Sequence, residues 1–252
     1  MKSIRTLIFV LSFALPCLVA GQDIPTLLRE AEQLEASLNE EAAFKKYQEV
    51  LKYQPINVTA LCKCSELCSR IGARQPKKET KVDYFKAGRR YAELALKLSP
   101  SSSEANFVMA VAMGRMALIS SGREKIEAVN EIKKYAENAI RLDPHDFKGY
   151  HVLGKWHYEV SNLSAVERTA AKIFFGGLPK ASLKESIWYY EKSKALYPEL
   201  NLNYLELAKA YHRNNENKKA VELLKKLETM PFKTADDARV KKEGLMLLKE
   251  WK

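Results

Sequence analysis

The side chains with chemistry to offer are four histidines and a knot of cysteines. The histidines are His145, His151, His157 and His212. His151 and His157 stand six apart, so they do not share a helical face as metal-binding histidines four apart would. Asp143, His145 and Asp146 cluster around Pro144, where polar turn residues are expected. Cys62, Cys64 and Cys68 fall within seven residues. A tetrahedral metal site needs a fourth ligand, and none lies nearby in sequence. Three thiols cannot form a complete set of disulfides, and one helical segment holds them in poor geometry for bridging. They read as small buried residues. No nucleophile elbow, phosphate-binding glycine loop, zinc-protease helix or dinucleotide fingerprint occurs. Gly176-Gly177 reads as a helix stop. The chain is therefore expected to have no catalytic residue, no cofactor and no metal.

The elements carrying these residues are all helical. Apolar residues recur at helical spacing almost throughout, and strand-like runs are nearly absent. Pro55, Pro100, Pro144, Pro198 and Pro231 each follow an amphipathic segment, because proline lacks an N–H and constrains the residue before it. Their spacings of 45, 44, 54 and 33 are near 34, or 34 plus an insertion. A 34-residue helical hairpin with W-x₂-L-G-x₂-Y, then A-x₃-F, then P, is the tetratricopeptide repeat. Tyr150, Leu153, Gly154 and His157 fit its opening. So do Tyr204, Leu207, Ala208 and Tyr211, followed by Ala220, Leu224 and Pro231. The expected fold is an all-α, tetratricopeptide-like solenoid of helical hairpins, a right-handed superhelix of about five repeats over residues 21–252. An inserted amphipathic helix is expected near 164–175, opened by the capping box Ser164 to Glu167, with Val166, Ala170, Ile173 and Phe174 on one face. Ser182 and Glu185 read as a second capping box. A capping helix is expected over 234–251, with Thr234 and Asp237 at its start. Trp156, Trp188 and Trp251 read as packing residues.

The first helix of each hairpin lines the concave side of such an array. The repeat register places Arg70 and Arg115 there, then His151, Lys155, Tyr158 and Glu159, then Lys209, His212 and Arg213. A basic groove with aromatic interleaving suits a carboxylate terminus or an acidic helix. The formal net charge of +11 agrees with an acidic partner. The excess lies in residues 61–252, since residues 21–60 hold seven acidic and four basic residues.

The stretch 149–251 resembles the regulator of microtubule dynamics family and its bacterial tetratricopeptide relatives. The residues that carry the likeness are Leu153-Gly154-Lys155-Trp156, Tyr158-Glu159-Val160, Leu163-Ser164, Glu167-Arg168, Phe174-Phe175-Gly176 with Pro179, Asn203-Tyr204-Leu205, and 231–237. The resemblance implies a non-enzymatic protein and, as one reading, a microtubule- or spindle-associated regulator in the cytoplasm.

Residues 1–20 point to another compartment. Lys2 and Arg5 precede an apolar run from Leu7 to Leu15, Pro16 breaks it, and Val19-Ala20-Gly21 offers small residues for cleavage. The run is short for a membrane span, so it reads as a signal peptide; kept in place it would be an N-terminal anchor. The mature chain is then expected to be exported, periplasmic or envelope-associated, without a transmembrane segment. Nucleic acid is not expected as a ligand, and tubulin only if the chain stays in the cytosol. The leading function is a protein-interaction scaffold that binds an acidic peptide or protein in the basic groove. The alternatives are the microtubule regulator and an accessory subunit of an envelope enzyme.

Overall fold

The computed structural model describes residues 23–251; the expected signal peptide, residues 1–20, lies outside them. Twelve α-helices and no strand occur among the described residues. They are α1 (Ile24–Ala36), α2 (Glu40–Tyr53), α3 (Val58–Arg74), α4 (Lys78–Leu98), α5 (Ser103–Ile119), α6 (Gly122–Leu142), α7 (Phe147–Ser161), α8 (Ala165–Phe175), α9 (Leu183–Leu196), α10 (Asn201–Arg213), α11 (Asn217–Thr229) and α12 (Asp237–Glu250).

The prolines and caps set this segmentation. Two residues after Pro55, Pro100 and Pro144, the side chains of Asn57, Ser102 and Asp146 accept from the first free backbone N–H groups of α3, α5 and α7. Each proline thus ends one hairpin and each cap opens the next. Hairpins form from α1 with α2, α3 with α4, α5 with α6, α7 with α9, and α10 with α11. The first helices also touch one another, α3 to α5, α5 to α7 and α7 to α10, and so form the inner layer. The extra length of repeats two and three is absorbed by helix, since α4 and α6 each run to 21 residues.

The capping box of α8 is present, Ser164 with Glu167. At α9, Ser182 Oγ accepts from the Glu185 N–H, but the Ser182 N–H turns to His157 Nδ1 at 3.4 Å instead of to Glu185. The last helix begins at Asp237, three residues later than expected, because the Asp237 carboxylate accepts from the Lys233 and Thr234 N–H groups and from the Thr234 hydroxyl. On α8 the expected apolar face points outward: Val166, Ile173 and Phe174 are exposed, and Ala171 is the buried residue. Trp156 and Trp251 pack as expected, whereas Trp188 is 51% exposed.

The core runs along the array rather than around a centre. Leu27, Tyr47, Leu67 and Ile71 fill the first part, Leu61, Phe107, Met109 and Met113 the middle, and Tyr190, Leu205, Leu207, Leu224 and Leu227 the last. Repeat four shows how the hairpins lock. Tyr190 of α9 is fully buried with its ring against Gly154 of α7, where a Cβ would meet ring carbons at 2.6–2.8 Å. Ser186 Oγ donates to the Gly154 carbonyl at 2.7 Å, and Asn203 Nδ2 donates to the Tyr190 carbonyl at 2.9 Å. Gly154→Ala forces the ring off its seat, so the variant is expected to lose about 1–3 kcal/mol of stability. Urea unfolding followed by circular dichroism measures this; an unchanged midpoint would show that the ring can yield.

Candidate functional site

The inner layer of first helices runs through α3, α5, α7 and α10, and α12 packs on α10 and α11 at its end. The eight groove residues expected from the sequence all lie on this layer and are all half-buried. Six of them come together on α7 and α10: His151, Lys155, Tyr158, Lys209, His212 and Arg213. Arg70 on α3 and Arg115 on α5 stand apart from that group.

Most of these side chains are held by the chain's own groups. Lys155 Nζ lies 2.8 Å from both Glu206 and Glu159. Lys209 Nζ lies 2.5 Å from Glu243 and 3.4 Å from Glu206. Glu206 is buried between the two lysines. Burial alone would raise its pKa, but Lys155 and then Lys209 outweigh it and hold the carboxyl below the usual range. Burial likewise opposes the charge of Lys155, and Glu206 and Glu159 more than restore it.

Arg213 serves a different end. Its guanidinium donates to the carbonyls of Tyr158 and Ser161, both at 2.9 Å, and lies over the Tyr158 ring at 5.1 Å. Both carbonyls lie in the last turn of α7, where the Tyr158 carbonyl also accepts from Ser161 Oγ and the Ser161 carbonyl from Arg168, so Arg213 adds to the C-terminal cap from the next repeat. The His212 ring stacks on Trp251 at 3.8 Å and 1°.

His151 has a defined tautomer. Asn203 Nδ2 is committed to the Tyr190 carbonyl, so its Oδ1 accepts from His151 Nδ1–H at 2.8 Å. His157 works the other way: its Nδ1 accepts from the Ser182 N–H, which ties the exit of the α8 insert to α7. Burial pushes both imidazoles below the usual value; the Asn203 bond opposes this at His151, and the Glu185 carboxylate opposes it at His157.

Arg70 is the most fully paired cation. It meets Glu35 at 2.6 Å, Glu40 at 3.4 Å and Glu66 at 3.7 Å. Burial would lower its pKa, and those three carboxylates raise it instead. Next to it, Arg74 reaches Glu40 at 2.7 Å, Glu41 at 3.3 Å and Asp236 at 3.4 Å. The last contact joins α3 to the turn before α12, 162 positions apart in sequence.

Arg115 differs from all of these. Its guanidinium meets no carboxylate or carbonyl among the described residues; it lies 5.5 Å from the centre of the Phe85 ring, and its buried Nε, like that of Arg70, has no hydrogen-bond partner among them. Burial lowers its pKa, and Asp236 opposes that while Arg239 adds to it.

Sequence reasoning missed Glu35, Glu40, Glu206, Arg74, Phe85 and Asp236. Glu206 stands three residues from Asn203 and three from Lys209, so the helical period could have placed it on the same face. Asp236 gave no signal, because its partners lie on helices far away in sequence.

The cysteines do not form a site. Cys62, Cys64 and Cys68 are buried free thiols, and burial pushes Cys62 and Cys68 up to about 12. Such thiols stay protonated and inert. No group of three or more His, Cys, Asp or Glu side chains among the described residues is arranged to hold a metal ion. No described helix is long and apolar enough to cross a membrane.

Known proteins agree with this architecture. Residues 27–252 match the family model described as regulator of microtubule dynamics protein 1-3. Regulator of microtubule dynamics protein 1 of Mus musculus is 27% identical over 234 residues, covering 91% of this chain and 75% of the mouse protein. The Caenorhabditis elegans protein of that name is 28% identical over 187 residues, covering 74% of this chain and 80% of the relative. The match to the Bos taurus protein spans half of that relative. Among solved structures, the thermophilic TPR protein TTC0263 of Thermus thermophilus superposes with a TM-score of 0.65 at 14% identity, over 89% of this chain and all of that one. Human IFIT1, as a dimer with PPP-AAAA, gives a TM-score of 0.50 at 17% identity, over 87% of this chain and 52% of its own. Both likenesses speak for the fold alone.

Half-buried His151 and buried His157 make stability depend on pH. The unfolded chain takes up protons near 6.5, whereas the folded imidazoles take them up at lower pH. Stability is therefore full above 6.5 and falls as pH drops through 6.5, levelling off below the folded values. The melting midpoint is expected to fall between about pH 7.5 and about pH 5.5, and the drop to shrink in a His151→Gln, His157→Gln double variant. Imidazole resonances of both residues titrating above 6.5 would contradict this.

Proposed function

The chain belongs to the regulator of microtubule dynamics family, and from that premise we propose that it is a non-enzymatic scaffold holding an acidic peptide or protein segment against its concave face. The observation that carries the reading is the inner layer itself. Tyr158 lies between Lys155 and Arg213, 5.6 Å and 5.1 Å from its ring centre, on helices fixed by ion pairs and by an arginine cap. Such a surface is rigid, half-buried and chemically varied, which suits recognition of an extended or helical segment. Its side chains serve as partners for one another; none is arranged as a nucleophile with a base. In this reading the contacts come from Arg70, Arg115, His151, Lys155, Tyr158, Lys209, His212 and Arg213. Arg70 and Arg213 act mainly by holding the surface in shape.

A second reading follows from the name of the relatives: the partner is tubulin and the work is done in the cytosol. The two readings part at residues 1–20. Cleavage after export places the scaffold in the envelope, and an intact N-terminus in the cytosol favours the microtubule partner.

The test places a photo-crosslinking amino acid at Tyr158 of the full chain in its native cells. The control carries it at Leu94, which is 39% exposed on the outer helix α4. Adducts at Tyr158 are expected to exceed those at Leu94 by about tenfold or more and to map to acidic segments. Equal labelling at both sites would overturn the concave-face reading. Tubulin as the Tyr158 adduct, in a cytosolic chain that keeps Met1, would establish the second reading.

A further inference from the structure

We propose that α8 is a membrane-docking ridge: its outward apolar stripe seats in the headgroup boundary of an anionic lipid bilayer, and the lysines beside it meet the lipid phosphates. The proposal lies outside the concave-face reading and stands or falls without it.

The first observation is what α8 leaves in solvent. Val166 is 78% exposed, and Ile173 and Phe174 are each 69% exposed. Ile173 and Phe174 follow Val166 by seven and eight residues, so the three share one side of the helix. No other helix among the described residues carries three exposed large apolar side chains. Ala171 is the buried residue of α8, and the helix packs on α6, the second helix of its hairpin. The ridge therefore sits on the outer side of the array and leaves the inner layer open.

The second observation is that α8 is held as a helix with little burial. An isolated helix of 11 residues is marginal in water. Here Ser164 Oγ accepts from the Glu167 N–H, and the Glu167 carboxylate accepts from the Ser164 N–H at 2.8 Å. Arg168 ties the first turn back to α7, donating to the Leu163 and Ser161 carbonyls at 3.1 and 2.8 Å. Gly176, at φ 81°, and the Gly177 N–H on the Ala171 carbonyl close the other end. Polar ties at both ends thus fix a helix whose apolar side faces outward.

The third observation concerns what can cover it. Residues 165–184 hold four basic residues and one acidic residue. The acid, Glu167, is turned to the cap, and Arg168 to carbonyls. Lys172, Lys180 and Lys184 are exposed and meet no carboxylate among the described residues. Apolar side chains beside unpaired lysines suit an anionic bilayer, where the first enter the acyl boundary and the second stay among phosphates. Three such side chains offer about a few hundred Å² of apolar surface, less than the roughly 800 Å² that each side of a stable protein interface buries. A bilayer needs no matching shape and adds its charge. No described helix is long and apolar enough to cross a membrane, so attachment through α8 is peripheral.

The experiment places an NBD dye on Ile173→Cys in the full chain carrying Cys17→Ser. Cys62, Cys64 and Cys68 are buried, so the dye goes to the new thiol. Vesicles of phosphatidylcholine with phosphatidylglycerol are expected to raise its fluorescence about twofold or more, and nitroxide-labelled lipid to quench it. The comparison carries the dye on Met246→Cys, which is 63% exposed on α12 and is expected to stay unchanged. Both chains keep residues 1–20, so any hold of that segment on the vesicles is common to them. Omitting phosphatidylglycerol, or introducing Lys172→Gln with Lys180→Gln, is expected to lower the Ile173 response about fivefold or more at fixed lipid. Lys225→Gln with Lys226→Gln, an equal loss of charge from exposed positions on the outer helix α11, is expected to change it by less than about twofold. These four positions are exposed, so the lysine variants leave the fold intact. Equal responses at Ile173 and Met246, no response at Ile173, or equal losses in the two lysine pairs would each overturn the proposal. A response to membrane-free protein extract and none to vesicles would overturn it too, in favour of a groove on a partner protein.

Discussion

No hairpin in this chain can bury its own apolar face, so each depends on the one beside it. The dependence is met by pairing a small residue with a large one. At Gly154 the absent Cβ is the space that the Tyr190 ring fills, and the ring in turn has its carbonyl tied to Asn203 of the next repeat. The bond from Asn203 Oδ1 then fixes the tautomer of His151 on the inner layer. A packing requirement at the centre of a hairpin thus sets the polarity of a side chain on the concave surface. The same pattern recurs where Arg213 closes α7 from the following helix. Neighbouring repeats complete each other in hydrogen bonding as well as in burial.

The inner surface is consequently less basic than its list of residues suggests. Glu35, Glu40 and Glu206 are half-buried or buried within it and offset most of the cations. What remains is a surface whose charges are largely paired with one another. Net charge then governs how fast a charged partner is met.

The helices and their ends were legible because their causes are local. Proline stops, the Ser164 capping box and the 3.6-residue period each act within a few positions, so the openings of two hairpins at α7 and α10 and the inserted helix α8 could be read from sequence, whereas the caps of α3 and α5 were not. The repeat register put the eight candidate groove residues on the first helices of the hairpins, and they lie on α3, α5, α7 and α10. The pairing of those residues was not legible, since Glu35 with Arg70 and Lys155 with Glu206 depend on how far adjacent helices slide and turn. Ser182 illustrates the limit: its spacing to Glu185 promised a reciprocal cap, and a histidine from α7 took one of the two bonds. The outward face of α8 is a second instance. The period identified its apolar stripe correctly, yet the helix leans on α6 through Ala171 and leaves Val166 and Ile173 in solvent.

A stack of hairpins is ordinarily an open spring, since each coil touches only the next and the pitch can breathe. The reach of Arg74 to Asp236 puts a clasp between coils that are not neighbours. The clasp is weak and half in water, worth under about 1 kcal/mol by itself. Its leverage is geometric: while it holds, the superhelix cannot lengthen without breaking it, and once it opens, small changes in pitch add up over the intervening coils. The array therefore has two regimes of stiffness, a short stiff one and a longer compliant one, separated by a single carboxylate.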